Sequence, residues 1–151
     1  MDDLRQIGQL DLWAKPDTAA VRVGFIHDHF DECGFTCELK LPDKLKYIGN
    51  YTFNNCQNLY GSLILPENLE YIGLGAFQNC RGFTGSLEIP KRVSVIHQEA
   101  FNYCGFDGIL KLHDGIINIE ENAFRCRFKG ELVLPKNLFV LSNGVFAGCN
   151  F

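Results

Sequence analysis

No apolar run in this 151-residue sequence is long enough to cross a membrane, and Met1-Asp2-Asp3-Leu4-Arg5 lacks the basic start and apolar core of a signal peptide. As written, the chain is expected neither to insert into a membrane nor to direct its own export. Basic side chains are in short supply, with 14 Lys and Arg against 18 Asp and Glu and a formal net charge of −4. Residues 1–40 hold eight acidic and four basic side chains, and residues 41–151 hold ten of each, so the deficit sits at the N-terminal end. Without a basic stripe to follow a phosphate backbone, nucleic acid is not an expected partner. Also missing are G-x-x-x-x-G-K-[ST], a G-x-G-x-x-G after a strand, H-E-x-x-H and any C-x-x-C pair. No phosphate cradle, zincin helix or zinc knuckle is therefore expected.

What is present is a repeat. The stretches starting at Leu41, Leu65, Ile89, Leu112 and Leu134 superpose at steps of 24, 24, 23 and 22 residues. Phe30 and Cys33 precede Phe53 and Cys56 by 23 residues, and Gly8-Gln9-Leu10-Asp11-Leu12 copies Gly61-Ser62-Leu63-Ile64-Leu65, so the repeat starts almost at the N-terminus. Phe fills one column at 30, 53, 77, 101, 124 and 146 and a second at 35, 83, 106, 128 and 151, with Leu59 in the gap. Phe25 and Phe139 fall outside both. Cys forms a third column at 33, 56, 80, 104, 126 and 149, leaving Cys37 out of register at a strand-entry Gly position. The prolines, 16, 42, 66, 90 and 135, mark one corner. A residue type that recurs at one point of a short unit meets its own copy in the next unit, which makes these columns a stacking code.

Within a unit, Leu-x-Leu-Pro alternates apolar with variable residues, as a strand with one buried face should, and proline ends it for want of an N–H. A second alternation (Leu45 and Ile48, Leu69 and Ile72, Val93 and Ile96) turns at Gly49 or Gly73, where positive φ is cheap. An Ala-Phe-x-x-Cys segment, too short for a stable helix, supplies one irregular or helical turn. Gly61, Gly85, Gly108 and Gly130 then lead into the next strand.

The pattern L-P-x-x-L-x-x-I-G-x-x-A-F-x-x-C-x-x-F-x-G-x-L-x-L resembles the BspA-like leucine-rich repeats of bacterial and protozoan surface proteins, over roughly residues 8–151. The resemblance implies a right-handed parallel solenoid of short strands and loops, a cell-surface setting, and adhesion or binding of macromolecules in place of catalysis. Departures are His113 at the corner proline, the shortened Phe124-Arg125-Cys126 turn and the absent export signal. One solenoid over residues 1–151 is expected, with 1–34 as a divergent acidic capping unit and 35–151 as regular repeats whose last coil is open.

Six thiols one coil apart stand about 4.8 Å from their neighbours. That spacing fits a buried ladder of small apolar residues whose S–H groups serve loop carbonyls. It also overlaps disulfide Cα separations of about 4.4–6.8 Å, and seven Cys leave at least one unpaired within the chain. The ladder is the expectation. His27-Asp28-His29-Phe30-Asp31-Glu32-Cys33 is the densest set of ligand types, yet Phe30 and Cys33 belong to the stack, so a solvated edge is expected before a metal site. His97 and His113 have no triad partners in sequence. Arg125, Arg127 and Lys129 read as the charged outer face of one coil. No cofactor is expected.

The variable strand positions remain. Lys40, Ile64, Glu88, Lys111 and Val133 on the first strand, with Tyr47, Tyr71, Val95, Ile117 and Phe139 on the second, are the expected interaction surface for a protein or glycan. The alternative is a structural spacer whose open C-terminal coil stacks end to end on further copies.

Overall fold

The computed structural model describes Gln9–Asp11, Phe25–Ile26 and the continuous run 36–151. The capping unit expected over 1–34 and the His27 and His29 cluster otherwise lie outside the described residues.

Among the described residues, five coils contribute two very short strands each and the last contributes one. The first of each pair are β1 (Gln9–Asp11), β3 (Cys37–Lys40), β5 (Leu59–Tyr60), β7 (Leu87–Glu88) and β9 (Leu110–Lys111). The second are β2 (Phe25–Ile26), β4 (Tyr47–Ile48), β6 (Tyr71–Ile72), β8 (Val95–Ile96), β10 (Asn118–Ile119) and β11 (Val140–Leu141). All pair in parallel, in the orders β1-β3-β5 and β7-β9 along one wall and β2-β4-β6 and β8-β10-β11 along another. No helix forms among the described residues. The result is a repeat solenoid of strand and loop, as the stacking code requires.

The third wall is built by the Ala-Phe-x-x-Cys turns. Phe53, Phe77, Phe101 and Phe124 donate their N–H groups to the carbonyls of Ala76, Ala100, Ala123 and Val145 of the following coil, at 2.8, 2.8, 2.9 and 3.0 Å. Backbone groups that a helix would satisfy internally are satisfied by the neighbouring winding instead. The segments are β-turns, with i to i+3 bonds such as Cys80 N–H to Phe77 carbonyl at 3.2 Å.

Side chains stack in register over these bonds. Successive rings of the first Phe column lie 5.2, 5.5, 5.5 and 6.2 Å apart from Phe53 to Phe146, within 12° of parallel. Phe83, Phe106 and Phe128 stack likewise at 5.7 and 5.5 Å. The columns meet edge to face, as at Phe101 and Phe106 (6.4 Å, 66°), the geometry favoured by the ring quadrupole. All of these rings except Phe146 are fully buried.

Two expectations are corrected by the backbone. Neither Gly49 nor Gly73 has positive φ; the left-handed residues come two positions later, at Tyr51, Gly75, Glu99, Asn122 and Gly144 (φ 55° to 67°). Each of the first four donates its N–H to the next coil, for example Glu99 to the Glu121 carbonyl at 3.0 Å, which holds non-glycine residues in a conformation that costs about 1 kcal/mol. Gly73 is required by space, since a Cβ there would stand 2.6 Å from the Asn50 nitrogen. Phe25, outside both Phe columns, stands opposite Tyr47 through β2. Cys37, not Phe35, lies opposite Leu59 and is buried there.

The prolines close one turn each, with the carbonyls of Pro42, Pro66, Pro90 and Pro135 accepting from the residue three positions on at 3.0 to 3.2 Å. His113 keeps that turn, its carbonyl accepting from Ile116 at 3.1 Å. Its ring adds a bond that proline cannot make. Nδ1 accepts from the Gly115 N–H at 3.1 Å, which leaves Nε2 to donate to the Pro90 carbonyl at 3.0 Å.

Candidate functional site: two exposed strand walls and an arginine cleft

The alternation within each strand decides which side chains face outward. In β3 the buried Cys37 and Leu39 alternate with the exposed Glu38 and Lys40, and the same parity exposes Ile64, Glu88, Lys111 and Val133. Ile64 and Val133 retain 77% and 66% of their accessible surface, so neither belongs to the core. On the second wall Tyr47, Tyr71 and Val95 are half-buried, Ile117 is exposed, and Phe139 is 91% exposed.

These ten residues do not form one stripe. They divide between two walls separated by the proline corner, and the second wall divides again. By repeat position, Tyr47, Tyr71 and Val95 share a column with Asn118 and Val140. Ile117 and Phe139 fall in the adjoining column with Lys46, Glu70 and Ser94, joined through Phe139 N–H to the Ile117 carbonyl and Ile117 N–H to the Ser94 carbonyl.

The Tyr column is packed, not splayed. The rings of Tyr47 and Tyr71 stack at 4.4 Å and 4°, and His97 tilts against Tyr71 at 5.0 Å. Burial, followed by the neighbouring Tyr47 phenol, raises the Tyr71 pKa. His97 Nδ1 lies 3.3 Å from Glu120 Oε2, so the ladder ends on a carboxylate. These rings cover one another's faces and present their edges.

The first wall is unpaired on either side of the β7-β9 pair, and before β7 the second wall parts as well. Between the coil containing Leu63–Leu65 and Tyr71–Ile72 and the coil containing Leu87–Ile89 and Val95–Ile96, neither strand wall is paired. The two coils are held by the turn wall, through Gly75, Phe77 and Asn79 N–H groups, and by Thr84 N–H to the Gly61 carbonyl. A groove of ≈ 630 Å³ occupies the parting, lined by Ser62, Ile64, Ser86, Glu88, Arg92 and Lys111 among others. Lys111 Nζ approaches Glu88 Oε2 at 3.2 Å, and Arg92 approaches Glu70 at 3.3 Å. Five of these groove residues were legible as variable positions in the sequence; Arg92 and the parting itself were not.

A second depression, ≈ 470 Å³, lies on the turn wall and is lined by Arg81, Tyr103, Gly105, Arg125 and Arg127 with Gly148 nearby. Sequence reading found Arg125 and Arg127 but missed Arg81, two coils earlier. The signal was available: Arg81, Gly105 and Arg127 each follow a column cysteine.

The cysteines work as a ladder of donors. The thiols of Cys80, Cys104 and Cys126 donate to the Phe53, Phe77 and Phe101 carbonyls of the previous coil at 3.0, 2.9 and 2.9 Å, and Cys149 to the Phe124 carbonyl at 3.4 Å. Burial, reinforced by the thiols above and below, pushes the Cys104 thiol well up. Cys56 departs from the ladder: it is disulfide-bonded, and its partner lies outside the described residues. No group of three or more metal-ligand side chains occurs among the described residues.

Compared with known families, the chain matches the BspA type leucine rich repeat region, in 6 copies over residues 26–151. No curated protein and no solved structure matches it.

Proposed function

We propose that this chain, which belongs to the BspA-type leucine-rich repeat family, is a non-enzymatic recognition module that binds a protein through the outward residues of its strand walls. The observation that carries the reading is the division of labour along each coil: fixed residues fill the interior, while Lys40, Ile64, Glu88, Lys111 and Val133 vary and face outward. The groove beside Ile64, Glu88 and Lys111 adds concavity and three kinds of contact, apolar, acidic and basic, within one small patch.

Tyr47, Tyr71, Val95, Ile117 and Phe139 offer a second, more apolar face. Exposed apolar side chains on a repeat wall, here Ile117 and Phe139, are characteristic of partner surfaces.

The test compares affinity capture by the intact chain with capture by Ile64→Glu/Glu88→Lys/Lys111→Glu and by Tyr47→Ala/Tyr71→Ala/Phe139→Ala. Loss of a captured protein with the first variant supports the groove. Identical capture by all three chains rejects both faces.

A structural role, with copies stacked end to end, draws support from β11, which is paired on one side and exposes Val140 and Leu141. A sedimentation coefficient independent of concentration would count against it.

A further inference from the structure

The arginine cleft on the turn wall is distinct from both strand walls. Its column reads Arg81, Gly105, Arg127 in three successive coils, so two guanidinium-bearing positions stand two coil steps apart, about 10 Å at the backbone. Between them there is no side chain. None fits, because a Cβ on Gly105 would come within 2.2 Å of the Arg81 carbonyl oxygen and 2.4 Å of that of Phe83. The glycine therefore fixes a notch between two cations. Along its side, the Arg125 guanidinium sits 4.7 Å above the Tyr103 ring centroid, which orients it without neutralising it.

Among the described residues, none of the three guanidiniums is held in a direct ion pair. The ion pairs among described residues engage Lys46, Arg92, His97, Lys111 and Lys136, and none engages Arg81, Arg125 or Arg127. No carboxylate lines the depression. The neighbouring Asp107 accepts the Gly85 N–H at 2.9 Å and offsets part of the Arg127 charge from outside the depression, leaving Arg81 and Arg125 without a facing carboxylate in its lining. Three exposed guanidiniums around one concavity, in a chain of net charge −4, form a local field opposite in sign to that of the whole molecule.

We propose that the notch formed by Arg81, Gly105 and Arg127, with Arg125 on Tyr103 at its side, is an anion-recognition site that takes neighbouring side-chain carboxylates of an extended acidic peptide. A guanidinium meets a carboxylate through two parallel hydrogen bonds. In an extended peptide, alternate side chains emerge on one face about 6.8 Å apart, a separation that flexible arginine side chains two coils apart can span. The choice of a peptide over a sulfated glycan rests on the reading of the chain as a protein-binding module. The site itself does not.

The experiment is a fluorescence anisotropy titration of the intact chain with labelled octaglutamate and octaglutamine, at low and physiological ionic strength. Octaglutamate binds, its affinity falls with salt, and Arg81→Gln/Arg127→Gln weakens it by about tenfold or more, the scale of losing charge-assisted hydrogen bonds. Lys136→Gln, which removes one positive charge at the proline corner, leaves the affinity within about twofold. Arg125→Gln with Tyr103 intact gives an intermediate loss. Thermal melts of each variant confirm that the exposed substitutions leave the fold in place. The proposal is overturned if octaglutamate binds no tighter than octaglutamine or if the double variant binds as the native chain does. It is equally overturned if a sulfated oligosaccharide binds in an arginine-dependent way while octaglutamate does not. Because capture by the strand walls is read in separate variants, either surface can fail without the other.

Discussion

The thiol of Cys104 lies 2.9 Å from the main-chain carbonyl of Phe77 in the preceding coil, the same oxygen that accepts the Cys80 N–H at 3.2 Å. Both lone pairs of that carbonyl are thus used, one within its own turn and one across the coil boundary. The relationship recurs at Cys80 and Phe53 and at Cys126 and Phe101. It explains why the position is cysteine: a small apolar body fits the interior and its S–H reaches a carbonyl that a methyl group could not serve.

Cys104→Ala is accordingly expected to lower stability by about 1–2 kcal/mol, combining one lost hydrogen bond with a small cavity. Cys104→Ser should not recover the loss fully, because its hydroxyl is shorter and costs more to bury. Urea denaturation midpoints measure both. An unchanged midpoint for Cys104→Ala would show the thiol bond to be energetically idle.

The same burial predicts an alkaline limit. With its folded pKa raised, the Cys104 thiol contributes stability that is fully present below its unfolded pKa of about 8.5 and is lost as pH rises through the folded value. The melting temperature should decline above about pH 8.5, and less steeply in Cys104→Ala. Alkylation of the native chain should reach the half-buried Cys149 before Cys104. Early labelling of Cys104, read by peptide mass spectrometry, would contradict the buried ladder.

Acid acts on different residues. Asp107 accepts the Gly85 N–H, and Asp114 accepts the Lys136 N–H at 3.0 Å with the Lys136 ammonium alongside; both carboxyls are held below their ordinary pKa. Each depressed carboxyl contributes stability that is present above its unfolded value of about 3.9 and is lost as pH falls through the folded one. Asp107→Asn/Asp114→Asn should therefore melt lower than the native chain at neutral pH and show a flatter decline below about pH 4. Parallel melting curves for the two chains across that window would exclude these two groups as its source.

Hydrogen exchange reads the parted coils. The N–H groups of Leu63, Ile64 and Leu65 have no backbone partner among the described residues, although Leu63 and Leu65 are buried as side chains. Phe77 and Phe101, equally buried, donate across the turn wall. Amides at 63–65 should exchange faster than those of Phe77 and Phe101 by orders of magnitude. Equal protection would mean that the strand wall closes in solution.

Much of this architecture was legible in the letters. Phe53, Phe77 and Phe101 recur at fixed offsets because each must stack on its copy, so identity and spacing report the interior directly. The outward positions followed from the same parity, which placed Ile64, Glu88 and Val133 correctly. What the spacing did not carry was how the two outward columns of the second wall differ: Tyr47 and Tyr71 stack on one another, whereas Ile117 and Phe139 stay exposed. The turn glycine was misread for a related reason. Gly73 is small to avoid the Asn50 backbone, a contact made by a residue 23 positions away, whereas the left-handed conformation falls on Tyr51 and Glu99, whose side chains give no hint of it.

The sequence by itself determined which residues lie inside, because burial of like on like is set by recurrence alone and needs no knowledge of where the backbone turns. Only the tertiary structure decided which outward residues become neighbours. Arg81 and Arg127 are 46 positions apart in the chain, and they share one cleft because two windings bring them to the same wall with a glycine between. The groove at Ile64 likewise exists because hydrogen bonds there run through the turns and leave the strands apart, a choice made by the packing of whole coils against each other.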